Sequence, residues 1–202
     1  MTLVLVHGGL WEDGMDAERF WTEPGVTDAL RERGLAVYTP DRLPRPPGWQ
    51  AEVAHLERLL PGGSFTLLAG SNGCSAAVRL ALVHPGRVAK LILAWPATCG
   101  DADVDRRTCT ALTAQGASEA TIEALLAGQT LRGVTDAELA GLRLPVAVAP
   151  SIPNPFHQRR TAEALLALIP GVVELAPPTP EPPRPEFPAH LEAFVSAVLA
   201  FA

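Results

Sequence analysis

The stretch that decides the fold is Phe65-Thr66-Leu67-Leu68-Ala69-Gly70-Ser71-Asn72-Gly73-Cys74-Ser75-Ala76-Ala77. It begins with an apolar run, which predicts a buried strand. The small and polar residues that come next predict a tight turn, and the alanine-rich end predicts a helix. A strand, a sharp turn and a helix in this order would hold the side chain of Ser71 above the end of the strand.

A turn of this kind needs small residues two positions before and two positions after the serine, because the strand and the helix approach closely there. Ala69 and Gly73 meet that need, and the pattern is A-x-S-x-G in place of G-x-S-x-G. The pattern predicts that Ser71 is a nucleophile. It also predicts that the backbone N–H of Asn72, at the start of the helix, stabilises a developing oxyanion.

A second frame exists within the same stretch. Ser75 has small neighbours, and Cys74 carries a thiol that is a possible nucleophile. The pattern of apolar residues places both residues one turn inside the helix, where a side chain points along the helix wall. This position favours a small buried core residue for Cys74.

Short apolar runs alternate with helical patterns along the rest of the chain, which is typical of a parallel sheet with helices on both faces. We therefore expect an α/β fold, a three-layer sandwich with a mainly parallel sheet of about six strands. The candidate strands are Thr2–Val6, Ala36–Thr39, Phe65–Ala69, Ala89–Ala94, Val146–Ala149 and Val172–Leu175. The candidate helices are Thr27–Arg33, Gln50–Leu60, Ser75–Val83, Thr161–Leu168 and Ala189–Phe201.

Two segments interrupt this alternation. Residues 99–143 contain polar, alanine-rich helical pieces at Thr121–Ala127 and Thr135–Gly141, and no strand signal. They predict a small helical insertion, which is either a plain excursion or a lid over a site at the strand ends. Ala176–Pro188 holds seven prolines and predicts a stiff, extended loop. The whole chain, 1–202, is expected to form a single domain.

Composition narrows the classes of function. The net charge of −6 and the absence of a basic face disfavour a nucleic-acid partner. No apolar run reaches the length of a membrane span, and the first residues lack a basic leader. The three cysteines form no CxxC pattern and fit a reducing cytoplasm better than a disulfide framework. The expected partner is a small-molecule substrate, and the oligomeric state stays open.

The motifs resemble those of the α/β-hydrolase superfamily over nearly the full length of the chain. Leu3-Val4-Leu5-Val6-His7-Gly8-Gly9 is similar to the strand that ends in the HGG oxyanion loop of that family, and His84-Pro85-Gly86-Arg87-Val88 to its H-P-x-R-V turn. Thr135–Leu139 before Leu144-Pro145-Val146 resembles the return from the cap. The first two strands typical of the family are missing, so the resemblance implies a minimal member. It also implies that backbone amides of Gly9 or Leu10 complete the oxyanion hole and that His7 is structural.

The resemblance implies that a histidine from the loop after the last strand acts as the base, because a serine hydroxyl needs one to be an effective nucleophile. His190 is the only histidine beyond residue 157, although the usual position of the family falls on Arg184. His55 lies within a helix and His84 in the turn motif. His157, in the loop after Val146–Ala149, would reach the rim of the site but ranks lower. His190 is therefore the expected base.

The acid of the family normally follows the strand Val146–Ala149, where this sequence has no carboxylate and Asn154 takes the place of aspartate. An asparagine orients an imidazole but carries no charge, and an Asp-to-Asn change in a serine protease costs about 10⁴ in rate. Some lipases place the acid after the preceding strand, where Trp95 stands here. The residue that would complete a catalytic triad with the serine and the histidine is unassigned, with Asn154 and Asp101 as candidates. Other nearby carboxylates are Asp103, Glu181 and Glu186.

Three hypotheses about function follow. The first is a serine hydrolase that forms an acyl-enzyme at Ser71 from a small ester, thioester or lactone. The second is a non-catalytic binding protein on the same fold, favoured by the missing acid. The third is a lyase or C–C bond hydrolase. No metal-ligand spacing or phosphate loop is present, and the expected mechanism needs no metal or cofactor. Trp11, Phe20 and Trp21 are either core residues or the lining of an acyl pocket.

Overall fold

The structure is a computed structural model that describes residues 2–202. Its centre is a six-stranded sheet in the order β2-β1-β3-β4-β5-β6, and every neighbouring pair is parallel. The predicted parallel α/β sandwich is therefore confirmed. The strands are β1 Thr2–Val6, β2 Ala36–Tyr38, β3 Phe65–Gly70, β4 Val88–Ala94, β5 Val146–Ala149 and β6 Val173–Glu174.

Helices cover the two faces of this sheet. They are α1 Val26–Glu32, α2 Trp49–Glu57, α3 Gly73–Val83, α4 Ala102–Ala114, α5 Glu119–Leu126, α6 Asp136–Ala140, α7 Arg159–Leu168 and α8 Leu191–Phe201. A one-turn π-helix, Glu18–Thr22, precedes α1, and a 3₁₀-helix, Phe187–His190, precedes α8. None of the helices among residues 2–202 has the length and apolar character that crossing a membrane requires.

The central strands are largely apolar without alternation because both faces of the sheet are covered there. Side chains of successive residues point to opposite faces, so β1 contributes Val4 and Val6 to one core and Leu3 and Leu5 to the other. The first core packs against α2, α3, α7 and residues 99–143, and the second against α1 and α8. Burying both faces of one sheet stabilises the three layers together.

Helix α4 is the element that the helical patterns did not predict. Only Val104 and Leu112 of its residues are buried, too few for an apolar face that repeats every turn. Asp101 begins the helix by accepting hydrogen bonds from the backbone N–H groups of Asp103 and Val104, 3.0 Å away. The local signals for this helix were confined to its start: Asp101 as the cap, and Asp103 and Asp105 in the first turn.

The carboxyl ends of the parallel strands lie at one edge of the sheet, and loops from four strands meet there. Residues 7–10 follow β1, Ser71 follows β3, residues 150–158 follow β5 and residues 175–186 follow β6. In sheets of this class, ligands bind at this edge. The side chains that the four loops contribute form the candidate site.

Candidate active site

Ser71 occupies a strained turn between β3 and α3. Its φ angle of 53° lies in the left-handed region that L-residues seldom adopt, and its N–H donates to the carbonyl of Ala94 at 2.9 Å. A Cβ atom added to Gly73 would lie 2.5 Å from the carbonyl oxygen of His7 and 2.8 Å from that of Val6. The first turn of α3 thus packs directly on the end of β1, which is the close approach that the sequence pattern predicted.

The competing nucleophiles lie away from this turn. Cys74 is fully buried, and its thiol donates to the carbonyls of Ala69 and Ala94 at 3.3 and 3.4 Å. Burial raises the pKa of the Cys74 thiol far above its usual range, so the reactive thiolate is suppressed. Ser75 is buried inside α3. Among Ser71, Cys74 and Ser75, only Ser71 forms a side-chain hydrogen bond with a histidine within residues 2–202.

That histidine is His157. Its Nε2 lies 2.9 Å from the Ser71 Oγ, and both residues are buried. The structure does not bring His190, the predicted base, to Ser71. His190 ends the 3₁₀-helix before α8, which packs on the face of α1, and it does not line the cavity that holds Ser71.

A local turn in the loop after β5 places His157 over Ser71. The side-chain oxygen of Asn154 accepts hydrogen bonds from the backbone N–H groups of Phe156 and His157, at 2.9 and 3.0 Å. The carbonyl of Phe156 in turn accepts from the N–H of Thr98 at 2.8 Å. These bonds turn the loop back toward the sheet, and α7 begins two residues after His157.

Glu181 and Asn154 lie beside the other nitrogen of the imidazole ring. Oδ1 of Asn154 is 3.2 Å from the Nδ1 of His157, and a Glu181 oxygen is 3.5 Å from the same atom. The Asn154 amide nitrogen donates to Glu181 at 3.3 Å. The Asn154 amide nitrogen lies 3.1 Å from the same Nδ1, so the partner of Nδ1 depends on the tautomer of the ring. A base that accepts the Ser71 proton at Nε2 carries its own proton on Nδ1, and in that tautomer the Asn154 and Glu181 oxygens are its acceptors.

The structure places some of the candidates for the third residue of the triad in the site and others outside it. Asn154 is in the site, as its position suggested, and Glu181 supplies a carboxylate from the proline-rich loop. Asp101 is not in the site, because it caps α4 and forms an ion pair with Arg160. Asp103 pairs with Arg106 on the exposed side of the same helix.

Thr179 fixes the path of the proline-rich loop. Its N–H donates to the carbonyl of Pro150 and its own carbonyl accepts from the N–H of Ile152, at 3.2 and 3.1 Å. The hydroxyl also accepts a hydrogen bond of 3.0 Å from the indole N–H of Trp95. This short parallel bridge joins the loops after β5 and β6 and brings Glu181 to His157.

The surroundings of His157 favour the neutral imidazole. Burial lowers the pKa of His157 below its usual value, the nearby Glu181 opposes this shift, and Arg184 and Arg132 add to it. A neutral ring has one nitrogen with a free lone pair, and this nitrogen is Nε2 when Nδ1 carries the proton. The histidine is therefore in the protonation state that a general base requires.

Arg42 holds the loop after β1. Its Nη1 donates to the carbonyl oxygens of His7 and Gly9. In a trans peptide the C=O and the following N–H point in opposite directions, so the N–H of Leu10 points away from Arg42. Leu10 and Asn72 both line the cavity of Ser71, and neither backbone N–H has a protein acceptor among residues 2–202. Of the two predicted donors in this loop, Gly9 and Leu10, the geometry favours Leu10.

A buried ion pair between Arg42 and Glu52 supports the loop after β1. Glu52 is fully buried in α2 and accepts two hydrogen bonds from the Arg42 guanidinium, one of them 2.9 Å long. His7 accepts from the backbone N–H of Arg42 at 2.9 Å and donates from Nδ1 to the carbonyl of Gly8. His7 is thus structural, as expected. No local pattern marked the ion pair, because Arg42 and Glu52 are each ordinary in their own segments.

The cavity over Ser71 has a volume of about 380 Å³, within the range of small-molecule sites. Phe20 lies at its floor and occupies the space that side chains at Gly8 and Gly70 would need. Trp21 is core, and Trp11 belongs to a neighbouring cavity. One face of α4 forms a wall through Arg107, Thr108, Ala111 and Gln115. Within residues 2–202, no group of three His, Cys, Asp or Glu side chains is placed to hold a metal ion.

Comparison with known proteins supports the architecture. No protein-family model and no curated protein matches the sequence. Among solved structures, a hydrolase from Pseudomonas aeruginosa PA01 aligns with a TM-score of 0.70 at 20% identity, over 99% of this chain and 89% of that one. An esterase from Exiguobacterium antarcticum aligns with a TM-score of 0.69 at 17% identity, over 99% and 91%. A thioesterase domain from the curacin biosynthetic pathway aligns with a TM-score of 0.67 at 14% identity, over 98% and 90%.

The protein has the α/β-hydrolase fold.

Within the α/β-hydrolase fold, the order of the site residues is unusual. The family pattern places an acid after the strand equivalent to β5 and a histidine after the last strand. Here His157 follows β5, and Glu181 follows β6. The two loops have exchanged the residue types that they bring to Ser71.

Proposed function

We propose that the protein is a serine hydrolase that cleaves a small ester, thioester or lactone through an acyl-enzyme at Ser71. The distance of 2.9 Å between the Ser71 Oγ and the His157 Nε2 carries this proposal. A hydrogen bond of this length lets the imidazole remove the hydroxyl proton as the oxygen attacks a carbonyl. The neutral state of the ring, favoured by its lowered pKa, supports the same role.

In the proposed reaction, the Ser71 Oγ bonds to the carbonyl carbon and its proton moves to the His157 Nε2. The carbonyl oxygen becomes an oxyanion that accepts from the backbone N–H groups of Leu10 and Asn72. The C–O or C–S bond then breaks, and His157 gives its proton to the departing alcohol or thiol. Water, deprotonated by His157, releases the acid and restores Ser71.

Glu181 and Asn154 act on the ring in each half of the reaction. When Nε2 gains a proton, the imidazolium is stabilised by the carboxylate of Glu181, 3.5 Å from Nδ1. The closer Asn154 oxygen accepts the Nδ1 proton and keeps the ring oriented. The alternative of a non-catalytic binding protein loses its main support, because a carboxylate lies beside the histidine.

A fluorophosphonate probe tests the proposal, with the adduct located by mass spectrometry. We expect labelling at Ser71, none in Ser71→Ala, and labelling slowed by about 10²-fold or more in His157→Ala. His190→Ala is the matched control and should label within about twofold of the wild type, since His190 lies outside the cavity. No labelling of the wild type would favour the non-catalytic alternative, and an adduct on Cys74 or Ser75 would contradict the choice of nucleophile.

A further inference from the structure

The cavity over Ser71 contains a buried arginine that the proposed reaction does not use. Arg132 lies between α5 and α6 and is 2% exposed. Its guanidinium donates to the side chains of Asn72, Asp105 and Thr108, at 3.1 to 3.2 Å. A guanidinium has five N–H groups, so two remain. One of them, the Nε–H, is buried without a partner among residues 2–202.

A second unpartnered atom lies in the same cavity wall. The side-chain oxygen of Gln115 is buried and has no hydrogen-bond donor within residues 2–202. Buried polar groups in native proteins nearly always have partners, and the exceptions call for an explanation. The unpartnered donor on Arg132 is explained by a ligand that presents an acceptor there, such as a carboxylate; the Gln115 oxygen would need a donor from another part of the ligand.

The charges around the cavity indicate the sign of that ligand. Arg107 lines the mouth, is exposed and forms no ion pair within residues 2–202. Arg184 lines the opposite side and has only a long contact of 3.4 Å with Glu186. The cavity is lined by three arginines, Arg107, Arg132 and Arg184, and by two carboxylates, Glu12 and Glu181. Asp105 pairs with Arg132 from outside this lining, so the lining itself carries a net positive charge.

From this cluster we infer that the substrate carries a free carboxylate on its acyl chain, bound by Arg132 with support from Arg107; the inference rests on the proposed function. The acyl chain stays bonded to Ser71 after the leaving group departs, so the buried part of the cavity must hold it. Arg132 contacts the side chain of Asn72, the residue next to Ser71, and is therefore close enough to meet a short chain. Arginine and carboxylate form strong, directional hydrogen bonds.

Binding to the Ser71→Ala variant tests the inference without requiring catalysis. Succinate, glutarate and adipate are titrated by calorimetry against butyrate, pentanoate and hexanoate, which match them in chain length and lack the second carboxylate. We expect a diacid to bind at least about 10-fold more tightly than its matched monoacid, since the second carboxylate gains a charged partner. Equal affinity in all three pairs would overturn the inference, even if the fluorophosphonate labels Ser71. A diacid preference without labelling would support carboxylate binding in this cavity but refute the hydrolase, and with it the assignment of the carboxylate to an acyl substrate.

Variants identify the arginine that is responsible. Arg132→Gln should remove most of the diacid preference, and Arg132→Lys should retain part of it because the charge remains. If Arg132→Gln does not fold, Arg107→Gln on the exposed rim can be measured in its place. We expect this variant to lower the diacid preference by about threefold. Arg106→Gln is the matched control, because Arg106 pairs with Asp103 outside the cavity and should change nothing. A preference that survives both Arg132→Gln and Arg107→Gln would contradict the assignment.

Ester hydrolysis by protein that retains Ser71 distinguishes carboxylate binding by Arg132 from a purely structural role. If Arg132 only positioned Asn72, its replacement would slow the hydrolysis of p-nitrophenyl hexanoate and of the mono-p-nitrophenyl ester of adipate equally, through kcat. Carboxylate binding predicts a selective loss of about 10-fold or more in kcat/KM for the adipate ester, mainly through KM. Equal losses for the two esters would overturn the inference.

Discussion

Replacing His7 with glutamine is expected to remove the part of the acid sensitivity of the fold that His7 contributes. Both ring nitrogens of His7 are engaged in the neutral form: Nδ1 donates to the Gly8 carbonyl at 2.8 Å, and Nε2 accepts from the Arg42 N–H at 2.9 Å. A proton added at Nε2 would break the second bond and place a positive charge beside the Arg42 guanidinium. Burial and then Arg42 lower the pKa of His7 from 6.5 to about 4.

The size of the effect follows from this shift. An unfolded histidine binds a proton near pH 6.5, whereas His7 in the fold does so only near pH 4. Between these values the unfolded chain binds more protons, so stability rises with pH and is lost as the pH falls. With about 1.4 kcal/mol per pKa unit, His7 accounts for a loss of about 2 kcal/mol between pH 7 and pH 5. By the same relation, the loss reaches about 3 kcal/mol at pH 4.

Urea unfolding, followed by tryptophan fluorescence at pH 7, 6 and 5, measures this loss. His7→Gln should be less stable than the wild type at pH 7, by about 1–2 kcal/mol, because it loses the bond to Gly8. That gap should close by about 2 kcal/mol at pH 5, where the wild type must keep His7 neutral and the variant has no ionisable group at that position. His190→Gln is the control and should run parallel to the wild type. A gap between wild type and His7→Gln that is constant from pH 7 to pH 5 would refute the reasoning.

Two further predictions concern the site and the strained turn between β3 and α3 at Ser71, which we call the elbow. Glu181→Gln should lower kcat/KM by about 10²-fold, less than the ~10⁴ of an Asp-to-Asn change in a serine protease because Asn154 still orients the ring. It should also move the acid limb of the pH profile to lower pH, since Glu181 raises the pKa of His157; an acid limb that stays in place would contradict this. Gly73→Ala should destabilise the fold by about 3 kcal/mol in urea unfolding, because its Cβ would meet two backbone oxygens within 2.8 Å. Gly62→Ala, with open space around it, is the control, and equal effects of the two changes would show that the elbow is not tightly packed.

The centre of the sheet could be predicted from the sequence because β1, β3, β4 and β5 are largely buried on both faces. These strands are mostly apolar runs between turn residues, and the bounds of β1 and β5 agree with those expected. The elbow was equally visible, since Ala69 and Gly73 answer a steric demand that acts within a few residues. These features depend on local sequence, and local sequence determined them.

The partners of Ser71 depend on the paths of loops, and those paths are set by contacts distant in sequence. His157 reaches Ser71 across 86 positions because Asn154 turns its loop. Glu181 reaches His157 because Thr179 bonds to the loop after β5. A single hydroxyl or amide decides each path, and neither leaves a periodic pattern. For this reason the choice between His190 and His157 was beyond the sequence.

The exchange of histidine and acid between the two loops is physically reasonable. Both loops leave the same edge of the sheet from neighbouring parallel strands, and the bridge between Ser151 and Thr179 holds them side by side. The reaction needs a base within hydrogen-bond distance of Ser71 and an acceptor behind the base; it places no demand on which loop supplies either. Family order therefore located the two loops that build the site. The distances of 2.9 Å from His157 to Ser71 and 3.5 Å from His157 to Glu181 support the roles proposed for the two residues.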